Sequence, residues 1–325
     1  MQRLTLDDLE RAARLIAPIV PPTPQYAWPL LSERTGCELW LKHENHTPTG
    51  AFKIRGGIVY LEALARRTPG LKGVVTATRG NHGQSIALAA SRLGLVSVIV
   101  APEGNSLEKN AAMRAFGAEL MIAGRDFDES RGYAARLAEE RFYQMVPSFH
   151  GDLVKGVATY ALEFFTAQPE LDAVYVPIGM GSGICGVIAV RDLLGLKTEV
   201  IGVVAENAPA MAHSFEAGRV IPGNSAATFA DGMACRDPDP EAFAIIRAGA
   251  ARMVSVSEAE IAAAIRALYA DTHNIAEGAA AAPLAALMQE GDAMRGRRVG
   301  LVMSGGNIDT PVLAAVLAGA TPGIQ

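Results

Sequence analysis

Ala173-Val174-Tyr175-Val176-Pro177-Ile178-Gly179-Met180-Gly181-Ser182-Gly183 is an unbroken apolar run that gives way to alternating glycines, after which a second apolar stretch begins. The run is short and continuous rather than alternating, as in a strand covered on both faces, and the stretch after the glycines has helical spacing. The same grammar recurs along the chain. Strands are expected at 73–78, 97–102, 119–122, 173–178, 199–205 and 298–303, and helical patterns at 81–93, 106–116, 126–141, 152–165 and 257–269. Such βαβα order predicts an α/β fold of open parallel sheets wrapped by helices. The three strand-helix units between about 73 and 148 predict a small inserted lobe at 69–147, flanked by the two parts of a larger lobe at 1–68 and 148–325.

In open parallel sheets, ligands sit beyond the carboxyl ends of the strands, where the glycine turns fall. Gly179, Met180, Gly181, Ser182 and Gly183 offer a row of unobstructed amides at a helix start, suited to a phosphate. Gly181-Ser182-Gly183-Ile184-Cys185-Gly186 also satisfies G-x-G-x-x-G, and Glu206 follows twenty residues later, as in a dinucleotide fingerprint. Thr78-Arg79-Gly80-Asn81-His82-Gly83-Gln84 opens a helix after a strand, so its amides are placed for a carboxylate; the plain alternative is a helix start capped by Asn81. Ser304-Gly305-Gly306-Asn307-Ile308-Asp309 follows the last strand and projects a hydroxyl into the same crevice.

Lys53 stands in Lys42-His43-Glu44-Asn45-His46-Thr47-Pro48-Thr49-Gly50-Ala51-Phe52-Lys53-Ile54-Arg55-Gly56, beside an aromatic, after a Pro/Gly turn and at an expected helix start. There an amine can lose its water and meet a carbonyl, which is how a Schiff-base lysine is built. A nicotinamide enzyme gives no reason for Lys53 or Ser304. A pyridoxal phosphate enzyme uses a lysine, a phosphate cradle and a partner for the ring nitrogen.

The four signatures together resemble those of fold-type II pyridoxal phosphate enzymes, the serine/threonine dehydratase and serine racemase family, whose fold is two-lobed and similar to the tryptophan synthase β chain. Glu108-Lys109-Asn110, Gly117-Ala118-Glu119 and Phe229-Ala230-Asp231-Gly232 extend the likeness over nearly the whole chain. The resemblance implies that Lys53 carries pyridoxal 5'-phosphate as a Schiff base, that Phe52 packs near its ring, and that Asn81 bonds its 3'-hydroxyl. It also implies that residues 179–183 bind its phosphate, that Ser304 meets its ring nitrogen, and that Thr78, Arg79, Gly80 and His82 face the substrate. The implied activity is an ammonia-lyase that removes water from a β-hydroxy amino acid such as L-threonine or L-serine. A Rossmann-type oxidoreductase and an amino-acid racemase of the same family are the alternatives.

The chain departs from the family pattern at named places. Arg79 stands where racemising relatives generally carry a serine base and many dehydratases an alanine; an arginine stays protonated and does not replace that base. Thr47 and Ala51 replace a common Gln and Ser. Some relatives hold a cation through a glutamate and an aspartate six residues on; Glu206 matches the first, but the second is Ala212, which leaves the metal unknown. No room is expected for a regulatory domain after the Ser304 turn.

The chain has 325 residues, half of them hydrophobic, and a formal net charge of -5. No Lys/Arg cluster with interleaved aromatics appears, so neither nucleic acid nor an anionic membrane is an expected partner; a small amino acid is, and a homodimer follows from the resemblance. Met1 to Asp8 lacks the basic-then-apolar order of a leader, and the weakly polar run at 278–288 is too short to span a bilayer, so a cytoplasmic location is expected. Cys37, Cys185 and Cys235 are isolated and are read as small apolar fillers in a reducing compartment.

Overall fold

The structure, a computed structural model, describes residues 4–323; the outermost positions of the expected lobes, and the first three residues of the leader reading, lie outside the described residues. The first part of the chain runs α1 (Leu6–Ile16), β1 (Gln25–Ala27), α2 (Pro29–Thr35), β2 (Glu38–His43) and α3 (Lys53–Arg67). It continues β3 (Gly73–Ala77), α4 (Asn81–Arg92), β4 (Val96–Ala101), α5 (Leu107–Ala115), β5 (Glu119–Ile122), α6 (Phe127–Arg141), β6 (Gln144–Met145) and α7 (Gly151–Ala167). Then come β7 (Ala173–Pro177), α8 (Ser182–Leu193), β8 (Glu199–Ala205), α9 (Ala210–Ala217), α10 (Pro240–Gly249) and β9 (Arg252–Val256). The described chain closes with α11 (Glu258–Thr272), α12 (Gly278–Glu290), β10 (Arg298–Met303) and α13 (Thr310–Leu317).

Two sheets result. One is ordered β1-β2-β10-β7-β8-β9, parallel except for the antiparallel edge strand β1; the other is ordered β5-β4-β3-β6 and is parallel throughout. The central strands are buried along almost their whole length, as continuous apolar runs require. The run at 278–288 becomes α12, enclosed by the larger sheet's core, with Pro283 inside the helix. No helix among the described residues is long and apolar enough to cross a membrane.

The structure adds four strands that the sequence reading lacks: β1, β2, β6 and β9. It ends β3 at Ala77 rather than at 78, because the Thr78 hydroxyl turns back to accept the amides of Gly80 (2.9 Å) and Gly83 (3.2 Å). α3, which begins at Lys53, is fixed by a close crossing with α7. A Cβ on Gly156 would sit 2.2 Å from the Arg55 carbonyl oxygen, so only glycine lets these backbones approach. The lysine therefore rides on a helix pinned between the sheets.

Candidate active site

A cavity of about 340 Å³ opens at the carboxyl ends of β3, β7 and β10. It brings together all the expected site residues: Phe52 and Lys53, the turn from Thr78 to His82, the turn from Gly179 to Gly183, and Ser304. The lysine loop and the last turn are stitched to each other through the backbone. Ala51 bridges Gly305, Phe52 N–H donates to the Ser304 carbonyl (3.0 Å), and Gly306 N–H donates to the Gly50 carbonyl (2.9 Å). Thr47 closes the loop, its hydroxyl accepting the Ala51 amide at 2.9 Å, so the residue that replaces the family's glutamine has a definite structural task.

Lys53 is the first residue of α3. Its Nζ lies 3.1 Å from the Ser182 hydroxyl and 4.9 Å from the Phe52 ring centroid. Burial lowers its pKa to about 8, against an opposing pull from the Glu277 carboxylate. The amine therefore reaches its neutral, nucleophilic form far more readily than an ordinary lysine. Phe52 is itself held edge-on against Tyr160, with centroids 5.9 Å apart.

The turn after β7 follows from its glycines. Gly181 has φ 95°, a left-handed conformation that side chains disfavour, and it is the N-cap of α8. Among the described residues, the amides of residues 179–183 find no backbone acceptor, which leaves a nest of donors at a positive helix end. Glu206, by contrast, is exposed beyond β8 and outside the cavity wall, and Gly186 serves to seat α8 on Ala158 of α7. The dinucleotide reading loses both its acidic residue and its third glycine.

Asn81 is not the cap of α4; Gly80 holds that place. The Asn81 side chain instead crosses the cleft, its Nδ2 donating to Glu277 Oε1 (2.7 Å) and its Oδ1 accepting from Asn307 Nδ2 (2.8 Å). The pKa of His82 is pushed down to about 3, first by burial and then by the charge of Lys53, so its ring is neutral; its Nε2 is buried without a hydrogen-bond partner among the described residues. The Arg79 Nε is likewise buried and unpartnered. Ser304 is buried at the strand end and lines the cavity.

Sequence reasoning missed three charged residues. Lys109 Nζ lies 2.5 Å from Asp231 and 3.5 Å from Glu277, all at the cavity wall. Burial raises the Glu277 pKa, opposed by Lys109; the two carboxylates hold Lys109 charged despite its burial. Two of the three stand in segments already noted for their likeness to the family, 108–110 and 229–232, and that was the only available signal. Cys37 and Cys185 are buried as expected of fillers, but Cys235 is not one: it is half-buried in the cavity wall, its Sγ 3.4 Å from Met180 Sδ.

The residues fit pyridoxal phosphate. An amide nest with a serine hydroxyl suits a phosphate, a desolvated amine beside it suits an aldehyde, and the buried His82 Nε2 has no hydrogen-bond partner among the described residues. A family model described as "Pyridoxal-phosphate dependent enzyme" matches residues 16–305. An L-threonine ammonia-lyase of Thermotoga maritima is 36% identical over 318 residues, covering 97% of this chain and 78% of that protein. Threonine deaminase isoform 2 of Solanum lycopersicum superposes with a TM-score of 0.87 at 30% identity, covering 98% of this chain and 95% of that one. Maize serine racemase superposes with a TM-score of 0.89 at 27% identity, covering 97% of each chain. The chain therefore belongs to the pyridoxal-phosphate dependent enzymes, in the group that includes the serine/threonine dehydratases and serine racemases.

Proposed function

We propose that the protein is an ammonia-lyase that removes water from a β-hydroxy amino acid, of the type of L-threonine or L-serine, to release an enamino acid that takes up water again to give a 2-oxo acid and ammonia. The observation that carries this reading is the desolvated amine of Lys53, held between the Phe52 ring and the Ser182 hydroxyl beside the amide nest of residues 179–183. In this reading residues 179–183 hold the cofactor's phosphate, Asn81 its 3'-hydroxyl and Ser304 its ring nitrogen. Two lobes, 1–68 with 148–325 and 69–147, flank the cleft, in keeping with the two separate sheets.

Bound pyridoxal phosphate supplies an electron sink conjugated to the substrate's α-carbon. The chain's residues supply the rest. Lys53 Nζ, neutral and desolvated, takes the α-proton and holds it as an ammonium next to the Ser182 hydroxyl. Ser304 offers the ring nitrogen a neutral partner rather than a carboxylate, which tempers the sink and disfavours side reactions. The Asn307-Asn81-Glu277 chain of hydrogen bonds fixes the Asn81 amide across the cleft. Arg79, always protonated, provides no base on the opposite face, which favours elimination over racemisation.

The test is to record the absorbance of the purified protein before and after borohydride, then follow oxo-acid release from L-threonine and L-serine. A band bleached by borohydride together with oxo acid supports the reading; a colourless protein that stays inactive with added cofactor and binds a nicotinamide dinucleotide refutes it. A homodimer and a cytoplasmic location belong to the same reading, the first being checked by light scattering.

Two further outcomes follow from the geometry. Lysine normally loses its proton near 10.5, but Lys53 does so near 8, so about one molecule in ten carries the neutral amine at pH 7. Loading of the cofactor-free protein with pyridoxal phosphate should accelerate about tenfold per pH unit up to about pH 8 and then level off; a rate still climbing at pH 10 contradicts the lowered pKa. In Gly179→Ala, the new Cβ would lie 2.2 Å from the Gly232 carbonyl oxygen, a backbone atom that cannot step aside cheaply. Overpacking of about 1–3 kcal/mol at the phosphate turn should weaken cofactor binding roughly tenfold or more in a fluorescence titration.

A further inference from the structure

Arg79 lines the cavity from the loop between β3 and α4, and its Nε is buried with no hydrogen-bond partner among the described residues. The other guanidinium and ammonium groups of the wall are engaged: Lys109 by Asp231 and Glu277, Arg236 and Arg131 by Asp128, and Lys53 by Ser182. The inner carboxylates are spoken for as well, Asp231 by Lys109 and Glu277 by Asn81 and Lys109. A guanidinium nitrogen left dry and unpaired is unfavourable for the protein alone, so its partner is to be sought in what enters the cavity.

An ordinary amino acid brings one carboxylate, and that group has a place of its own. The Thr78 hydroxyl takes the Gly80 and Gly83 amides, while among the described residues the Asn81 and His82 amides at the start of α4 donate to no backbone acceptor. Two such amides at the positive end of a twelve-residue helix suit a carboxylate. Arg79 is then surplus by one anion.

We infer that the preferred substrate is a β-hydroxy amino acid with a second carboxylate, of the size of 3-hydroxyaspartate, and that Arg79 is the residue that selects it. This rests on the lyase reading and sharpens it. A guanidinium pairs with a carboxylate through two parallel N–H···O bonds, and a substrate with a methyl group or hydrogen there leaves the buried Nε unpaired.

The test compares kcat/KM of the holoenzyme for 3-hydroxyaspartate, L-threonine and L-serine in the wild type, Arg79→Ala and Arg79→Lys, alongside calorimetric titration of each with succinate and with butyrate. Charge-assisted pairing should favour the dicarboxylate about a hundredfold over L-serine in the wild type. Arg79→Ala should erase that ratio, and Arg79→Lys, which lacks the fork, should keep only part of it. Succinate should bind the wild type at least about tenfold more tightly than it binds Arg79→Ala, with butyrate indifferent to the change. A wild type that uses L-serine or L-threonine as well as the dicarboxylate overturns the inference, as does an Arg79→Ala that loses all substrates in equal proportion. Absence of oxo acid from every substrate overturns the lyase reading instead, and the succinate titration then decides the role of Arg79 by itself.

Discussion

Lys53→Ala is expected to remove the borohydride-sensitive absorbance entirely and to lower oxo-acid release by roughly 10⁴-fold or more, because one amine serves both as covalent anchor and as base. The loss should fall on kcat, since the amide nest at 179–183, the proposed phosphate site, remains in place. Folding should not suffer. Among the described residues, the only hydrogen-bond partner of the Lys53 side chain is the Ser182 hydroxyl, and burial already works against its charge, so thermal unfolding should occur at the wild-type temperature or slightly above it. A variant that keeps wild-type turnover rejects the proposed chemistry. One that loses activity only by unfolding rejects the claim that Lys53 is dispensable to the fold.

What the sequence made legible is what local chain chemistry determines. The expected strands 199–205 and 298–303 coincide with β8 and β10, because a strand covered on both faces has little choice but continuous apolar residues; 119–122 coincides with β5, a half-exposed edge strand whose short apolar run is bounded by turns. β2 hid because it carries charge: Lys42 is fully buried on it, satisfied by Glu163 at 2.6 Å, 121 positions away. β9 hid for a similar reason, Arg252 being matched by Glu199 and Glu290 from other elements. Lys53 and the glycines of 179–183 were readable because their conformation is written in their neighbours. Glu277 was not, since its partners Asn81 and Lys109 come from α4 and α5, and no sequence periodicity announces a carboxylate that pairs across a cleft. Asn81 shows the same limit from the other side: its place in the glycine turn is legible, yet its bonds to Glu277 and Asn307 are tertiary and the cap of α4 is Gly80 rather than Asn81.

Arg55→Ala should have the largest effect on stability, about 3–5 kcal/mol by urea denaturation. Arg55 is 1% exposed and sits two residues beyond Lys53 in the first turn of α3. Its Nε and one terminal nitrogen clasp Glu44 at 2.8 and 3.0 Å, and both terminal nitrogens reach Glu163, at 2.6 and 3.0 Å. Burial works against its charge, but Glu44 and Glu163 outweigh that and raise its pKa. With Arg55 gone, two carboxylates, one of them fully buried, face a single cation, Lys42. An uncompensated charge in a dry core is the costly outcome, whereas removing charges in pairs is not. Arg55→Met together with Glu44→Gln should therefore recover much of the loss, since Lys42 still balances Glu163. Arg55→Lys should recover little, because one ammonium cannot make the two-pronged contact to both carboxylates. If Arg55→Ala unfolds at the wild-type urea concentration, the cluster is not what anchors α3 against β2 and α7. If it is destabilised and the double variant is no better, the cost lies in lost packing rather than in stranded charge.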